Sequence, residues 1–329
     1  MRTLVVAPSW IGDAVMSHAL LVRLKERDPQ GSIDVLAAPW VLPVYRRMPE
    51  VAATLVLPFG HGDLKLGERR RFARSLPRYD RAVVLPNSFK SALIPWHAVI
   101  AVRTGYRGEM RYGLLNDVRT LDKEALPLIV ERYAALAQPA GEALARPVPQ
   151  PRLATDEATR LATARKYGVD LAKPVAAFAP GAEYGPAKRW PARHFADLAK
   201  TLSSRGLQVW LLGSKKDADV TAEIQRLSGE ACIDFAGRTS LDEAIDLMSF
   251  ASQVVTNDSG LMHIAAALDR PTAAIFGSSS PEFTPPLSPR ARVITLRLEC
   301  SPCFQRECPL GHTNCLVTLE PARVLEAIG

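Results

Sequence analysis

No apolar run in the 329-residue sequence approaches the roughly 20 residues needed to cross a bilayer. The amino terminus, Met1-Arg2-Thr3-Leu4-Val5-Val6, runs straight into a strand pattern. It lacks the apolar h-region and small-residue cleavage site of a secretory signal, so a cytoplasmic location is expected. Neither half contains G-x-G-x-x-G or a Walker A loop, which counts against a dinucleotide enzyme or a P-loop NTPase. Internal repeats, coiled-coil heptads and low-complexity segments are also missing. Cysteine is scarce: there are five, and four crowd between positions 300 and 315.

What remains is a globular composition, 47% hydrophobic and 23% charged, on a chain long enough for two domains with separate cores. The net charge of +7 is one-sided. Residues 1–150 carry 21 Lys and Arg against 14 Asp and Glu, whereas residues 151–329 balance at 20 each. The basic side chains are densest from Lys65 to Arg78, where Arg69, Arg70, Arg71 and Arg74 also lie and Glu68 is the lone acid. Such a half suits an anionic partner, whether nucleic acid, phosphorylated lipid or a membrane surface. A solvated helix face is the plainer reading of the run. The run has no interleaved aromatics, which disfavours single-strand binding.

Short Val/Leu/Ile strands alternate with amphipathic helices, which predicts parallel sheets covered on both faces. In the first half, strands are expected at Thr3–Pro8, Ile33–Ala37, Thr54–Leu57 and Arg81–Leu85, with helices at Ala14–Glu26 and Ala125–Leu136. Gln138–Arg152, with four prolines and a glycine, reads as a linker between domains 1–150 and 151–329. The second half repeats the alternation, with strands at Val175–Ala179, Gln208–Leu212, Ile233–Phe235, Gln253–Thr256 and Thr272–Phe276. Helices are expected at Arg193–Ser204, Ala218–Leu227, Leu241–Ala251 and Leu261–Leu268. The last helix could pack back on the first domain. Doubly wound domains of this kind bind ligands at the carboxyl ends of their strands.

The strand ends carry the chemistry. Val254-Val255-Thr256-Asn257-Asp258-Ser259-Gly260-Leu261-Met262-His263 reads as strand, tight turn and helix start. A helix N-terminus offers free N–H groups and a favourable dipole to phosphate. The alternative is an ordinary connection with Asp258 or Ser259 as N-cap. After the first strand, Ala7-Pro8-Ser9-Trp10-Ile11-Gly12-Asp13 places a carboxylate where a helix begins, as an N-cap or as a general base. Pro180–Pro191 is a Gly/Pro-rich loop ending in Lys188, Arg189 and Trp190. Lys188 offers a point charge for a phosphate, and Arg189 a planar fork; solvated loop cations are the other reading. Asp217 could accept from ribose hydroxyls or cap the next helix. With Asp219 it spells D-x-D, but a pair that opens a helix does not favour a metal. Cys300, Cys303, Cys308, His312 and Cys315 form C-x2-C-x4-C-x3-H-x2-C, either a structural zinc site or reduced thiols packing a loop. Cys232, beside a strand, reads as core.

Taken together, P-S-W-I-G-D, G-A-E-Y-G-P-A-K-R-W-P, N-D-S-G-L-M-H-I-A-A-A-L and C-S-P-C-F-Q-R-E-C-P-L-G-H span nearly the whole chain. In these segments the sequence resembles the ADP-heptose:lipopolysaccharide heptosyltransferases (glycosyltransferase family 9). The cysteine segment favours the branch that adds the second heptose. The resemblance implies the GT-B fold, two Rossmann-like doubly wound parallel-sheet domains facing across a cleft. It also implies inverting transfer of L-glycero-D-manno-heptose from ADP-heptose to a lipid A–inner core acceptor at the inner-membrane surface. Asp13 matches the family's base and Lys188 the lysine for the leaving diphosphate. Ser259 and Gly260 match the phosphate turn, with Asp258 and His263 beside it. Asp217 matches a ribose ligand and Thr239 lines the adenine pocket. Arg69, Arg70 and Arg71 are candidates for the acceptor, and no catalytic metal is implied, although Mg2+ could accompany the diphosphate. A monomer without a nucleic-acid partner is expected. The competing readings are the first-heptose branch or another GT-B nucleotide-sugar transferase, and, more distantly, a non-catalytic nucleic-acid-binding module.

Overall fold

The alternation of apolar strands and amphipathic helices resolves into two parallel sheets in the computed structural model, which describes residues 1–60 and 62–328. The first sheet is built from β1 (Arg2–Val6), β2 (Ser32–Ala37), β3 (Ala53–Val56), β4 (Arg81–Val84), β5 (Val102–Tyr106) and β6 (Asp117–Arg119). They lie in the order β3-β2-β1-β4-β5-β6, every pair parallel. The second sheet contains β7 (Val175–Ala179), β8 (Gln208–Leu211), β9 (Cys232–Asp234), β10 (Gln253–Asn257), β11 (Thr272–Ile275) and β12 (Ala291–Ile294). Its order, β12-β11-β10-β7-β8-β9, repeats the first topology, again all parallel. In each sheet the strand order reverses beside the first strand, between β1 and β4 and between β7 and β10. At such a switch point neighbouring loops diverge to opposite faces and leave a crevice at the carboxyl ends.

By contacts the chain divides into Met1–Pro151 and Arg152–Gly329. The proline-rich segment before the division is tied to the N-terminal unit. Arg23 donates to the carbonyls of Ala145 (2.9 Å) and Pro147 (2.5 Å), and Arg27 to Gln138 Oε1 (2.9 Å). In the C-terminal unit, Phe195, Ala196, Leu198, Ala199 and Leu202 form the buried stripe of the Ala192–Ser204 helix, at the spacing that puts them on one face. They pack against Phe178, Val209 and Leu211 of the sheet. The Leu241–Met248 helix starts at a capping box, with Ser240 and Glu243 each bonding the other's backbone N–H.

Three expectations change. The single helix expected at Ala14–Glu26 is two, Ile11–Met16 and His18–Arg27. The Ser17 hydroxyl between them bonds the Ala14 carbonyl (2.7 Å) and Tyr45 Oη (2.9 Å), competing with the helical ladder. The helix expected from Ala125 begins only at Ile129, because Pro127 disfavours helical backbone at Leu126. Strands β5, β6 and β12 were not anticipated; they are short or polar and carry little period-2 signal. In the final helix, Pro321–Ile328, the side chains of Val324, Leu325 and Ile328 join the C-terminal core cluster.

Candidate active site

At the second switch point, the loop after β7 and the turn after β10 meet. Asn257, fully buried at the end of β10, ties them together: its Oδ1 accepts from the Trp190 backbone N–H (3.0 Å) and its Nδ2 donates to the Pro180 carbonyl (2.6 Å). Trp190, also fully buried, anchors the loop from below, its indole N–H donating to the Leu319 carbonyl (2.8 Å). These anchors place Lys188 Nζ 2.5 Å from Asp258 Oδ2, with the side chains 18% and 5% exposed. The Ser279 hydroxyl donates to the same oxygen at 2.5 Å. The Lys188 ammonium also lies 5.1 Å from the centre of the Tyr184 ring.

Beside this pair begins the Gly260–Ala267 helix. Ser259 occupies its N-cap position but makes no side-chain cap bond, and its Oγ lies 3.5 Å from Thr256 Oγ1. Asp258 is engaged by Lys188 and Ser279, so neither candidate cap residue satisfies the first helical N–H groups. They remain available to an anion. His263, one turn in, is buried. Its pKa is pushed down to about 4 by burial, with Asp258 opposing and Lys188 adding to the shift, so the imidazole is neutral at physiological pH.

Asp217 lies past the end of β8. Its Oδ2 accepts from the Ser214 N–H (2.9 Å) and hydroxyl (2.8 Å), which pins the carboxylate. The carboxylate lies directly over Gly181, where a Cβ would collide with both of its oxygens. Position 181 is therefore glycine because of a close approach. Thr239 is half-buried past β9, its hydroxyl 3.4 Å from the Phe235 carbonyl.

In the N-terminal unit, Asp13 lies in the first turn of the Ile11–Met16 helix but does not cap it; Trp10 occupies the N-cap position. Asp13 Oδ1 instead accepts from the hydroxyl of Tyr133 at 2.9 Å. Burial raises the Asp13 pKa above the ordinary carboxylate range, and the Tyr133 bond partly offsets this. The Tyr133 phenol is in turn held well above its usual range by burial and by Asp13. A half-buried carboxylate with a raised pKa beside a sheet's carboxyl edge has the properties of a general base. Trp10 and Trp40, 52% and 49% exposed, stand on the same edge, with the Trp40 indole donating to the Ser9 carbonyl (2.8 Å).

The basic run separates on folding. Arg69 is 2% exposed, donates to the carbonyls of Leu64 (2.7 Å) and Asp63 (2.8 Å), and stacks 4.3 Å over Phe59. This corrects its placement among the acceptor candidates: the guanidinium closes its own loop. Arg70, Arg71, Arg74 and Arg78 are exposed. The sequence did not single out Tyr133, Asn257, Ser279 or Trp40. Asn257 adjoins the turn that was singled out, but the other three depend on segments distant in the chain.

Two doubly wound parallel sheets of identical strand order, each with polar groups gathered at its carboxyl edge, define the GT-B class of glycosyltransferase. The model of "Glycosyltransferase family 9 (heptosyltransferase)" matches residues 69–314, and the chain belongs to that family. It is 50% identical over 339 residues to Lipopolysaccharide heptosyltransferase 2 of Escherichia coli K12, covering 100% of this chain and 97% of that one. Its identity to Lipooligosaccharide heptosyltransferase 2 of Haemophilus influenzae is 44% over 343 residues, covering 100% and 98%. The solved structure of E. coli ADP-heptose lps heptosyltransferase II superposes with a TM-score of 0.90 at 48% identity, covering 100% and 97%. A family 9 glycosyltransferase from Veillonella parvula, 19% identical, shares the fold at a TM-score of 0.86, covering 99% and 95%.

Proposed function

We propose that this heptosyltransferase moves L-glycero-D-manno-heptose from ADP-heptose onto the first heptose of the lipopolysaccharide inner core, inverting the anomeric carbon in one displacement. The observation that carries the reading is the uncapped helix N-terminus at Gly260 beside the Lys188–Asp258 pair. Relatives named for this transfer, matched along the whole chain, point the same way.

In this mechanism Asp13 takes the proton from the acceptor hydroxyl as its oxygen bonds to the anomeric carbon. The bond from that carbon to the diphosphate breaks in the same step, and ADP leaves with the electron pair. Lys188 and the N–H groups around Ser259 and Gly260 neutralise the charge that develops on the diphosphate. Before donor binds, Asp258 holds Lys188 in place; with donor present, the ammonium turns to the diphosphate and Asp258 keeps the Ser279 hydroxyl. Asp217 accepts from the ribose hydroxyls, Thr239 lines the adenine, and neutral His263 supports the turn. These groups stabilise the leaving group without a metal ion. The exposed Arg70 and Arg71 meet phosphates and carboxylates of the acceptor. Among the described residues no helix is long and apolar enough to cross a membrane.

Purified enzyme assayed with ADP-heptose on acceptors with and without the first heptose tests the reading. Transfer should require that heptose, and equal transfer to the acceptor lacking it refutes the assignment. Asp13→Ala should abolish turnover while ADP-heptose still binds; turnover like wild type removes Asp13 as base.

A further inference from the structure

Three of the five tryptophans belong to the N-terminal unit and all three are exposed, whereas Trp190 and Trp210 of the C-terminal unit are fully buried. Single exposed apolar side chains are ordinary, and Trp96, near the end of the Phe89–His97 helix, is one. Trp10 and Trp40 differ because the topology brings both to the base. Strands β1 and β2 run parallel with Val6 beside Leu36, so the loops that follow leave the sheet side by side. The Trp40 indole N–H donates to the Ser9 carbonyl (2.8 Å), which sets that ring against the residue preceding Trp10. Trp10 is the N-cap of the Ile11–Met16 helix, its carbonyl accepting from the Ala14 N–H (2.9 Å), and Asp13 lies in the first turn. Side chains three positions apart at a helix start are neighbours. A group close enough to give Asp13 a proton therefore lies within reach of the Trp10 indole.

We propose that Trp10 and Trp40 form a stacking platform for the acceptor sugar, packing the C–H face of its pyranose ring while one of its hydroxyls meets Asp13. The inference rests on Asp13 as base and on a sugar as acceptor, and adds the side chains that hold that sugar. The chemistry of the two rings selects this occupant. The bond to Ser9 uses the sole donor of the Trp40 indole, so its outward part offers only π surface. The negative face of an aromatic ring attracts polarised C–H bonds. A pyranose ring presents such bonds on its faces and hydroxyls around its rim. Tyr133 holds Asp13 Oδ1, which leaves Oδ2 for a rim hydroxyl. Trp40 is pinned by its bond to Ser9 and Trp10 by the backbone that starts the helix, so little freedom is lost on binding. A flat apolar surface also fixes the tilt of the sugar, and so decides which hydroxyl reaches the carboxylate.

The test uses the full chain with saturating ADP-heptose and varied acceptor, once intact and once stripped of its fatty acyl chains. Trp10→Ala and Trp40→Ala should each raise the acceptor KM roughly tenfold, the scale of one ring's lost apolar contact, with kcat falling far less. The rise should be the same on both acceptors. The Kd for ADP and the melting temperature should stay at their wild-type values, because the rings are exposed and the nucleotide-binding groups lie in the other unit. Trp10→Phe should recover most of the lost affinity, since a phenyl ring keeps a π face. Trp40→Phe should recover less, because the bond to Ser9 goes with the indole. An unchanged acceptor KM in either alanine variant overturns the two-ring platform. A KM effect confined to the intact acceptor overturns the sugar as occupant and gives the rings to the acyl chains. A lowered melting temperature with no recovery in Trp10→Phe reduces the rings to scaffold and overturns the proposal as well. No transfer by the wild type overturns the functional reading and this one with it, whereas effects confined to the variants bear on the platform alone.

Discussion

Tyr133→Phe removes one hydroxyl, and with it the 2.9 Å bond that Asp13 Oδ1 accepts. Burial drives the Asp13 pKa up and the Tyr133 bond drives it down, so losing the phenol leaves burial less opposed. A hydrogen bond to a charged group contributes about 1.5–3 kcal/mol. At about 1.4 kcal/mol per factor of ten, losing that bond disfavours the ionised carboxylate by roughly 10- to 100-fold. Only the ionised carboxylate can take the acceptor proton. The acid limb of kcat/KM against pH should therefore shift upward. Below that limb the variant should be roughly 10- to 100-fold slower than wild type, and on the alkaline plateau the two should nearly coincide. Initial rates of ADP release across a pH series, with saturating ADP-heptose and limiting acceptor, measure both features. An unmoved acid limb, or an equal loss at every pH, refutes the reasoning; a uniform loss would mean that Tyr133 only supports the fold.

Asp13→Asn should stabilise the N-terminal unit at neutral pH. A carboxyl whose pKa is raised by folding contributes stability at low pH that is lost as pH rises through the raised value. The gain in melting temperature should shrink on acidification, and a pH-independent difference contradicts the sign. Lys188→Ala removes the diphosphate's cation and leaves Asp258 buried without it. The Kd for ADP by calorimetry should rise tenfold or more, about 1.4 kcal/mol, and unchanged affinity removes Lys188 from the donor site. Gly181→Ala puts a methyl into the Asp217 carboxylate; it should weaken ADP binding while leaving the affinity for inorganic diphosphate nearly intact, and equal losses for both would place the effect outside the ribose contact. Trp190→Ala should cost the C-terminal unit about 3–5 kcal/mol in urea unfolding, with a change below 1 kcal/mol arguing against its role as the loop's anchor.

The paired parallel architecture was legible because strands buried on both faces need apolar runs, such as Leu-Val-Val in β1, Val-Leu-Ala in β2 and Val-Ala-Ala-Phe-Ala in β7. Edge strands such as β6, Asp-Val-Arg, are covered on one side only and leave no such trace. Residue types at the strand ends were legible too: a lysine after β7, an acid and a serine after β10, an aspartate after β1. Which reading of each applied was not. Asp13 had the sequence of an N-cap, and only the arrival of Tyr133, 120 positions away, shows its oxygen to be engaged elsewhere. Arg69, Arg70 and Arg71 are equivalent as text, yet helical periodicity turns the first inward over Phe59 and the next two out to water.

By itself, the order of residues determined the class of fold, the one-sided charge and the inventory of reactive groups, because hydrophobic period and composition are local properties. Tertiary structure alone decided which groups became partners. The Lys188–Asp258 pair, the Tyr133–Asp13 bond and the Asp217 carboxylate over Gly181 join segments that meet only after parallel strands have been laid side by side. Burial, which shifts the pKa of Asp13 upward and that of His263 downward, is likewise a property of the packed chain.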